Sequence, residues 1–278
     1  MTGRLAYLGP PGTFSEEAAL KFDSAAELVP MSSITAVATA VDSGMADWGI
    51  LPIENSLEGS VPETLDVLVH NPRPLFIRNE LILAIDHYLL AKPGTKASDV
   101  SVLYAHPQAL GQCRGFVERC FPKAVIEAAL SNAAAVEEMM AHESAAAIGT
   151  RRAADIYGAE VLAKGIQDRS PNVTRFVVVG RDDHPQTGDD KTSLAFGFVV
   201  EDRPGLLVGA LREFSSRDIN LSKIESRPSK EKLGTYIFLA DVDGHRLDAP
   251  LAEALTQVEG QCSFFRVLGS YPRSRADA

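Results

Sequence analysis

Glu54, Asn55 and Ser56 set a carboxylic acid, an amide and a hydroxyl side by side directly after the apolar run Trp48 to Ile53, with Glu58-Gly59-Ser60 beyond them. A carboxyl group can give or take a proton, and an amide and a hydroxyl can steady an oxygen that is gaining charge. The same residue types also close ordinary turns by bonding to their own backbone, so the stretch weighs evenly between the two. Asn172, Thr174 and Arg175 precede a second apolar run. The arginine fork suits a carboxylate, although a lone arginine is by default a surface ion pair. In AHPQALGQC, His106 and Gln108 stand at a strand-to-helix junction. A histidine there can touch a ligand, but without a partner it is more often structural.

The loop LGPPGTFSEEA, Leu8 to Ala18, opens like a nucleotide-binding loop. Such a loop needs a lysine for the phosphates and then a hydroxyl for magnesium. Here Phe14 and Ser15 fill those places, and Glu16 and Glu17 follow, which would repel a triphosphate. Thr13-Phe14-Ser15-Glu16 reads instead as a capping box, with Thr13 capping a helix and Glu16 reaching back. What remains is a helix N-terminus with free N–H groups and a hydroxyl, suited to a carboxylate. Taken alone, an ordinary strand-to-helix turn accounts for it as well.

These groups need a scaffold, and the hydrophobic pattern supplies one. Strands are predicted at Leu5–Leu8, Trp48–Ile53, Val102–Tyr104, Ala124–Ala128, Ala145–Ile148 and Val161–Ala163. Helices are predicted at Phe14–Phe22, Ile34–Val41, Pro107–Cys120 and Asn132–His142, with another opened by Ser60-Val61-Pro62-Glu63. This alternation points to mainly parallel sheets with helices on both faces. The extended run Leu75 to Leu90 is too long for one strand of about 5–6 residues. It fits a strand that leaves one sheet for a second, with Thr174 to Val179 returning, and the two lobes would enclose a cleft. A single sheet with a long hairpin fits the periodicity nearly as well.

Residues 182–191 are polar, without an apolar period, and read as a linker. Beyond them, strands at Ser193–Val200, Ile219–Ile224, Tyr236–Val242 and Phe264–Leu268 alternate with helices at Gly205–Phe214 and Pro250–Val258. That βαββαβ order is ferredoxin-like. Within it, Gly205 permits close approach of a ligand or partner, and Glu225-Ser226-Arg227-Pro228 gathers acceptors and donors at a strand end. Such a group could read the ammonium and carboxylate of an amino acid, or be an exposed turn.

Composition narrows the classes. With 278 residues, 45% hydrophobic and 23% charged, the chain has an ordinary globular make-up and room for two domains. A net charge of −10 argues against nucleic acid or an anionic membrane as partner, while leaving room for an anionic small molecule. Cys113, Cys120 and Cys262 form no CxxC pair, and the six histidines show no metal-binding spacing. Reduced thiols, no metal, no cofactor, no signal peptide and a cytoplasmic location are the expectation.

Together these stretches resemble the prephenate dehydratase family. Tyr7 to Pro10 with Gly12 to Ser15, Pro52 to Ser56 with Glu58-Gly59, and Thr174-Arg175-Phe176 look like its catalytic motifs. Pro204-Gly205 and Glu225 to Pro228 look like its C-terminal ACT regulatory domain. The resemblance implies an α/β catalytic domain over 1–181, periplasmic-binding-protein-like, with lobes of about 1–77 plus 172–181 and 78–171. A linker at 182–191 and an ACT domain at 192–272 would follow. Many members carry an N-terminal chorismate mutase domain, for which there is no room here, so the monofunctional form is expected.

The resemblance also implies the reaction and its residues. Prephenate loses its ring carboxylate as carbon dioxide and its C4 hydroxyl as water, giving phenylpyruvate for phenylalanine synthesis. Thr174 is the essential residue, bonding the leaving oxygen, with Glu54 as the proton source that relays through it. Arg175 takes a substrate carboxylate, and Thr13, Ser15, Asn55, Ser56 and Phe176 complete the cleft. Phenylalanine is expected as feedback effector where two ACT domains meet, making the protein a homodimer or homotetramer. The effector residues would be Gly205, Leu206, Leu207, Val208, Asn220, Glu225, Ser226, Arg227 and Pro228. Where the family often has Pro-Gly-Ala-Leu, this chain has Leu206, which could narrow the pocket or pack in the core. An arogenate dehydratase, or an amino-acid sensor without catalysis, are the competing readings.

Overall fold

The computed structural model describes residues 3–198, 204–230 and 234–274. Met1 and Thr2, the expected strand positions Val199 and Val200, and Asp202 and Arg203 ahead of the Pro204-Gly205 motif lie outside the described residues. The first stretch comprises β1 (Arg4–Leu8), α1 (Phe14–Phe22), β2 (Glu27–Met31), α2 (Ile34–Asp42), β3 (Trp48–Asn55), β4 (Gly59–Ser60), α3 (Pro62–His70) and β5 (Phe76–Ala84). Next come β6 (Tyr88–Ala91), β7 (Val102–Ala105), α4 (Pro107–Gln112), α5 (Arg114–Cys120), β8 (Val125–Ala128), α6 (Asn132–Met140), β9 (Ala145–Gly149), α7 (Arg151–Tyr157), β10 (Glu160–Lys164) and β11 (Val173–Gly180). The last stretch is β12 (Asp190–Gly197), α8 (Leu206–Ser215), β13 (Leu221–Pro228), β14 (Tyr236–Asp243), α9 (Ala249–Gln261) and β15 (Phe264–Pro272).

The chain divides into two compact units, Met1–Val61 with Ile82–Phe176, and Pro62–Leu81 with Val177–Ala278. One sheet runs β2-β1-β3-β11-β5, with β4 on β3, and a second runs β10-β6-β9-β7-β8. The apolar run at 75–90 therefore does change sheets: β5 lies in the first and β6 in the second. Asp86 and His87 mark the crossing between them. In the second sheet, β7 pairs in parallel with β8 and β9, while β6 runs antiparallel to β9 and β10. Strand alternation sends Leu89, Leu103 and Ile148 into one core and Leu90, Tyr104 and Ala147 into another, on opposite faces.

Two elements escape the hydrophobic pattern. β2 is short, none of its residues is fully buried, and it contains Pro30. It is the edge strand of its sheet, where a missing N–H is tolerated. α7 is seven residues long, but its ends are clear: Thr150 caps it through Oγ1, and Gly158 follows in the left-handed conformation. The helix expected over 107–120 breaks at Cys113, whose backbone leaves helical geometry.

The second unit contains the βαββαβ domain, its antiparallel sheet ordered β13-β14-β12-β15. Leu194, Phe196, Ala240 and Val242 meet Phe214 of α8 and Leu251 and Val258 of α9 in one core. β12 begins at Asp190, inside the polar stretch. α3 and the start of β5 belong to this unit as well. Arg266 Nη1 donates to the carbonyl of Asn71 just past α3, at 3.1 Å, and Lys191 binds Glu80 of β5 at 2.9 Å. Gly269, with φ of +149°, lies so close to the Ile77 backbone that an added Cβ would stand 2.6 Å from its nitrogen.

Candidate active site

A cavity of about 800 Å³ opens in the first unit. Thr13 and Ser15 line it from α1, Ser32 from just ahead of α2, His106 and Gln108 from α4, and Ser131 and Asn132 from α6. The N-termini of α1, α4 and α6 thus face one space, with the residue before the α2 cap beside them. Their caps are satisfied: Thr13, Ser33 and Ser131 each accept a backbone N–H of the first turn, and His106 Nδ1 accepts that of Gln108. Remaining first-turn N–H groups and the aligned peptide dipoles make the cavity electropositive without any side-chain cation. No lysine or arginine lines it among the described residues. Phe14, Met31 and Leu130 add an apolar wall.

Phe14 leads from the cavity to a buried polar chain, its ring meeting His87 edge-on at 5.6 Å. His87 is 2% exposed, and its Nε2 lies 2.9 Å from Gln112 Oε1. Burial pulls its pKa below the usual histidine value, only partly opposed by the Gln112 bond and by Asp86. Gln112 Oε1 also accepts from Asn172 Nδ2 at 2.8 Å, and Gln112 Nε2 faces Glu58 Oε1 at 3.4 Å. Asn172 Oδ1 accepts from Asn55 Nδ2 at 2.8 Å. The Asn55 amide nitrogen also donates to Thr174 Oγ1 at 2.9 Å and approaches the Val173 carbonyl at 3.2 Å.

The orientation of Asn55 follows from groups that can only donate: its Oδ1 accepts the backbone N–H of Leu57 at 2.9 Å and of Glu58 at 3.0 Å. Its nitrogen must then face Thr174. Because the Thr174 oxygen receives that proton, the threonine's own O–H points elsewhere as a donor. The polar turn is therefore both a capped turn and a device for orienting Thr174.

The other sequence-selected residues divide between this chain and its surroundings. On β11, Thr174 and Phe176 are buried on one face and Arg175 alternates to the other. Arg175 approaches Glu54, Nη1 to Oε2, at 3.9 Å, whereas the group bonded to Thr174 is Asn55. Ser56 Oγ accepts the Val173 N–H at 3.0 Å, tying the turn to β11. Gln112, His87 and Arg152 were not singled out in the sequence. Asp86-His87, a polar pair interrupting an apolar run, was the available signal for one of them.

Glu16 does reach back, but to the Gly12 N–H at 2.6 Å, and the Arg152 guanidinium grips both its oxygens at 3.1 Å. The carboxylate that would have repelled an anion is 5% exposed and neutralised. Thr150 Oγ1 donates to the Gly12 carbonyl at 2.7 Å, and a Cβ on Gly12 would stand 3.2 Å from Ala133 and Ala153. With its φ at +89°, only glycine lets the opening loop sit this tightly against α6 and α7.

In the second unit, Val208 and Asn220 line a smaller cavity of about 440 Å³ with Leu211, Arg212 and Ile219. Gly205 caps α8 in the left-handed conformation, Leu206 is half-buried, and Leu207 packs against the core. Glu225, Ser226, Arg227 and Pro228 run along β13, where Glu225 meets Lys223 at 3.7 Å and Arg227 meets Asp66 of α3 at 3.5 Å. None of these four lines the smaller cavity.

Comparison with known proteins agrees with this architecture. The family model for prephenate dehydratase matches residues 5–184 and that for the ACT domain residues 195–260. A prephenate dehydratase of Mycobacterium sp. (strain JLS) is 42% identical, over 98% of this chain and 90% of its own. A bifunctional chorismate mutase/prephenate dehydratase of Aquifex aeolicus (strain VF5) is 39% identical, over 98% of this chain and 74% of its own. The crystal structure of the Arthrobacter aurescens prephenate dehydratase in complex with L-Phe superposes with a TM-score of 0.88 at 37% identity. It covers 97% of this chain and 90% of that one. The catalytic motifs, the two-sheet unit around its cavity and the βαββαβ domain all follow one pattern: this chain belongs to the prephenate dehydratase family of lyases and carries that family's ACT regulatory domain.

Proposed function

We propose that the cavity ringed by helix N-termini binds prephenate and that Thr174 assists its conversion to phenylpyruvate. Prephenate carries two carboxylates, and oriented N–H groups hold anions without the rigid demand of an arginine fork. Loss of carbon dioxide and of the C4 hydroxyl makes the ring aromatic, which supplies the driving force. What the protein must add is a seat for the dianion and a donor for the departing oxygen. Thr13, Ser15, Ser131 and Asn132 supply the seat. Thr174 is not among the residues lining the cavity; held by Asn55 so that its proton is available, it supplies the donor to substrate that reaches past the Phe14 wall. The contact of Asn55 Nδ2 with Thr174 Oγ1, with Asn55 Oδ1 held by two backbone N–H groups, is the observation carrying this reading. Arg175, paired with Glu54, acts in it by fixing β11 against the turn.

The test is to mix the protein with prephenate and follow phenylpyruvate through its alkaline enolate absorbance. Thr174→Ala should lower kcat by about 10²-fold or more with a smaller change in KM. Product from arogenate but not prephenate would reassign the substrate, and binding without product would leave a sensor.

For regulation, we propose that L-phenylalanine binds beside Val208 and Asn220 and lowers turnover. The Arthrobacter aurescens relative was solved with that amino acid bound, and the smaller cavity here offers an amide among apolar groups. Asn220→Ala should raise the phenylalanine concentration needed for half-inhibition by about tenfold, one lost polar contact. We further propose that ACT domains pair between copies, giving a dimer or tetramer that light scattering would detect.

A further inference from the structure

The buried chain behind Thr174 has a single permitted direction, and that direction ends at a histidine. At one end, the Leu57 and Glu58 N–H groups fix the Asn55 amide. The Asn55 nitrogen then requires Asn172 to present Oδ1, which leaves Asn172 Nδ2 facing Gln112. Gln112 must answer with Oε1, and its nitrogen turns to the Glu58 carboxylate. The same Oε1 faces His87 Nε2 at 2.9 Å, so the histidine must donate there. Its Nδ1 is buried without a partner among the described residues, the arrangement of a bare lone pair on a neutral ring.

We infer that His87 is a positioning residue: its neutral ring, protonated on Nε2, holds Gln112 and Asn172 in the one sense that leaves the Thr174 proton available to substrate. This rests on the role given to Thr174 above. With the proton on Nδ1, the bare Nε2 would face Gln112 Oε1, lone pair against lone pair. Relief would require Gln112 to turn, setting its nitrogen against the Asn172 nitrogen and its oxygen against Glu58. Asn55 keeps its sense through its backbone partners, so the disturbance would reach Thr174 as a displacement of the Asn172 and Asn55 side chains. Around the ring stand Phe14, Gln112 and the backbone partner Gln167 Oε1 at 3.0 Å, with Asp86 as the neighbouring charge. None of them replaces the Nε2 donor.

The first measurement is the ¹⁵N signature of the His87 ring in the wild-type protein at pH 7, assigned by its loss in His87→Gln. A neutral Nε2–H tautomer is expected, and a neutral Nδ1–H tautomer or a charged ring overturns the inference. The second is turnover of prephenate by three variants. His87→Leu has no donor and the amide of His87→Asn stands near the Nδ1 position, short of Gln112, so both should lose about tenfold in kcat with KM within about threefold. His87→Gln places an N–H near the Nε2 position and should recover most of that loss. Unchanged kcat in His87→Leu, or a His87→Gln as slow as His87→Leu, overturns it. Should the apolar variant fail to fold, the ring signature still decides. A wild-type protein inactive on prephenate would refute the proposed reaction while leaving the tautomer measurement as an independent test of the chain's direction.

Discussion

Asn55→Asp changes one atom type and reverses the polarity on which Thr174 depends. The carboxylate keeps the contacts of Oδ1 with the Leu57 and Glu58 N–H groups. Its second oxygen, replacing Nδ2, then faces the Asn172 Oδ1 at 2.8 Å, the Val173 carbonyl at 3.2 Å and the Thr174 Oγ1 at 2.9 Å. Two of these become contacts between acceptors. At the third, the threonine can restore a bond only by giving its own proton to the introduced carboxylate. Removing one oriented donor from a developing oxyanion costs about 10²–10³-fold. Turnover should fall by at least 10²-fold, or about 2.7 kcal/mol on the barrier. The buried acceptor on Asn172 loses its donor, which costs about 1–3 kcal/mol of stability. Phenylpyruvate formation at saturating prephenate gives the first quantity, and urea unfolding gives the second. Asn55→Ala lacks the added charge and leaves Thr174 its proton, so the Asp variant should slow turnover at least as much as the Ala variant. A kcat for Asn55→Asp within about threefold of wild type would refute this polarity.

Four further outcomes follow from the structure. Arg152→Ala leaves the buried Glu16 carboxylate with only the Gly12 N–H and should cost about 2–4 kcal/mol, read from the urea midpoint at unchanged slope. Gly269→Ala drives a methyl group into the Ile77 backbone and should lower the melting temperature by well over about 5 °C. Burial lowers the pKa of both His87 and His106, so the unfolded chain takes up protons first as pH falls below about 6.5. Stability should therefore decline from there until the folded-state values are passed, and His87→Gln should flatten part of that decline. Burial pushes the Cys113 thiol up to about 12 and Cys262 to about 11, while Cys120 is exposed. One thiol per native chain should react quickly with a disulfide reagent, and its reaction should vanish in Cys120→Ser.

Much of this molecule was legible from residue order. Alternation of apolar runs with capped helices pointed to mainly parallel sheets, and the excessive length of the 75–90 run suggested a change of sheet that a long hairpin fitted nearly as well. Thr13 as a cap and Asn55 as a polar group at a strand end could be named from type and position, whereas the weight given to Thr174 came from the family resemblance. What escaped had no local mark. Pro30 disguised β2, since a proline reads as a break unless the strand is known to lie at an edge. That Arg175 and Thr174 take opposite faces of β11, with Glu54 approaching Arg175 and Asn55 bonding Thr174, could not be read from their adjacency in the sequence. Gln112 and His87 lie 25 residues apart, and only the fold, which sets the end of α4 beside the residue ahead of β6, joins them. The cavity proposed to seat the anion was only partly visible: the helix N-terminus at Thr13 could be named, but its convergence with those of α4 and α6, with no lysine or arginine in the lining among the described residues, needed the fold.

α3 and the first part of β5 come early in the chain yet take their partners from its end. Asp66 is held by Arg227 and Lys230, the carbonyl of Asn71 by Arg266, and the Ile77 backbone lies against Gly269. A scissile bond placed near residue 184, where the catalytic family model ends, would leave that early segment without the surface it folds against. The regulatory module is thus no detachable appendage. Grafting a foreign ACT domain onto this catalytic part would succeed only if the graft also carried a mould for residues 62–81. With the effector site proposed above, variation in the response is freest at positions such as Val208 and Asn220, and most constrained along the β13 and β15 residues that the early segment shares.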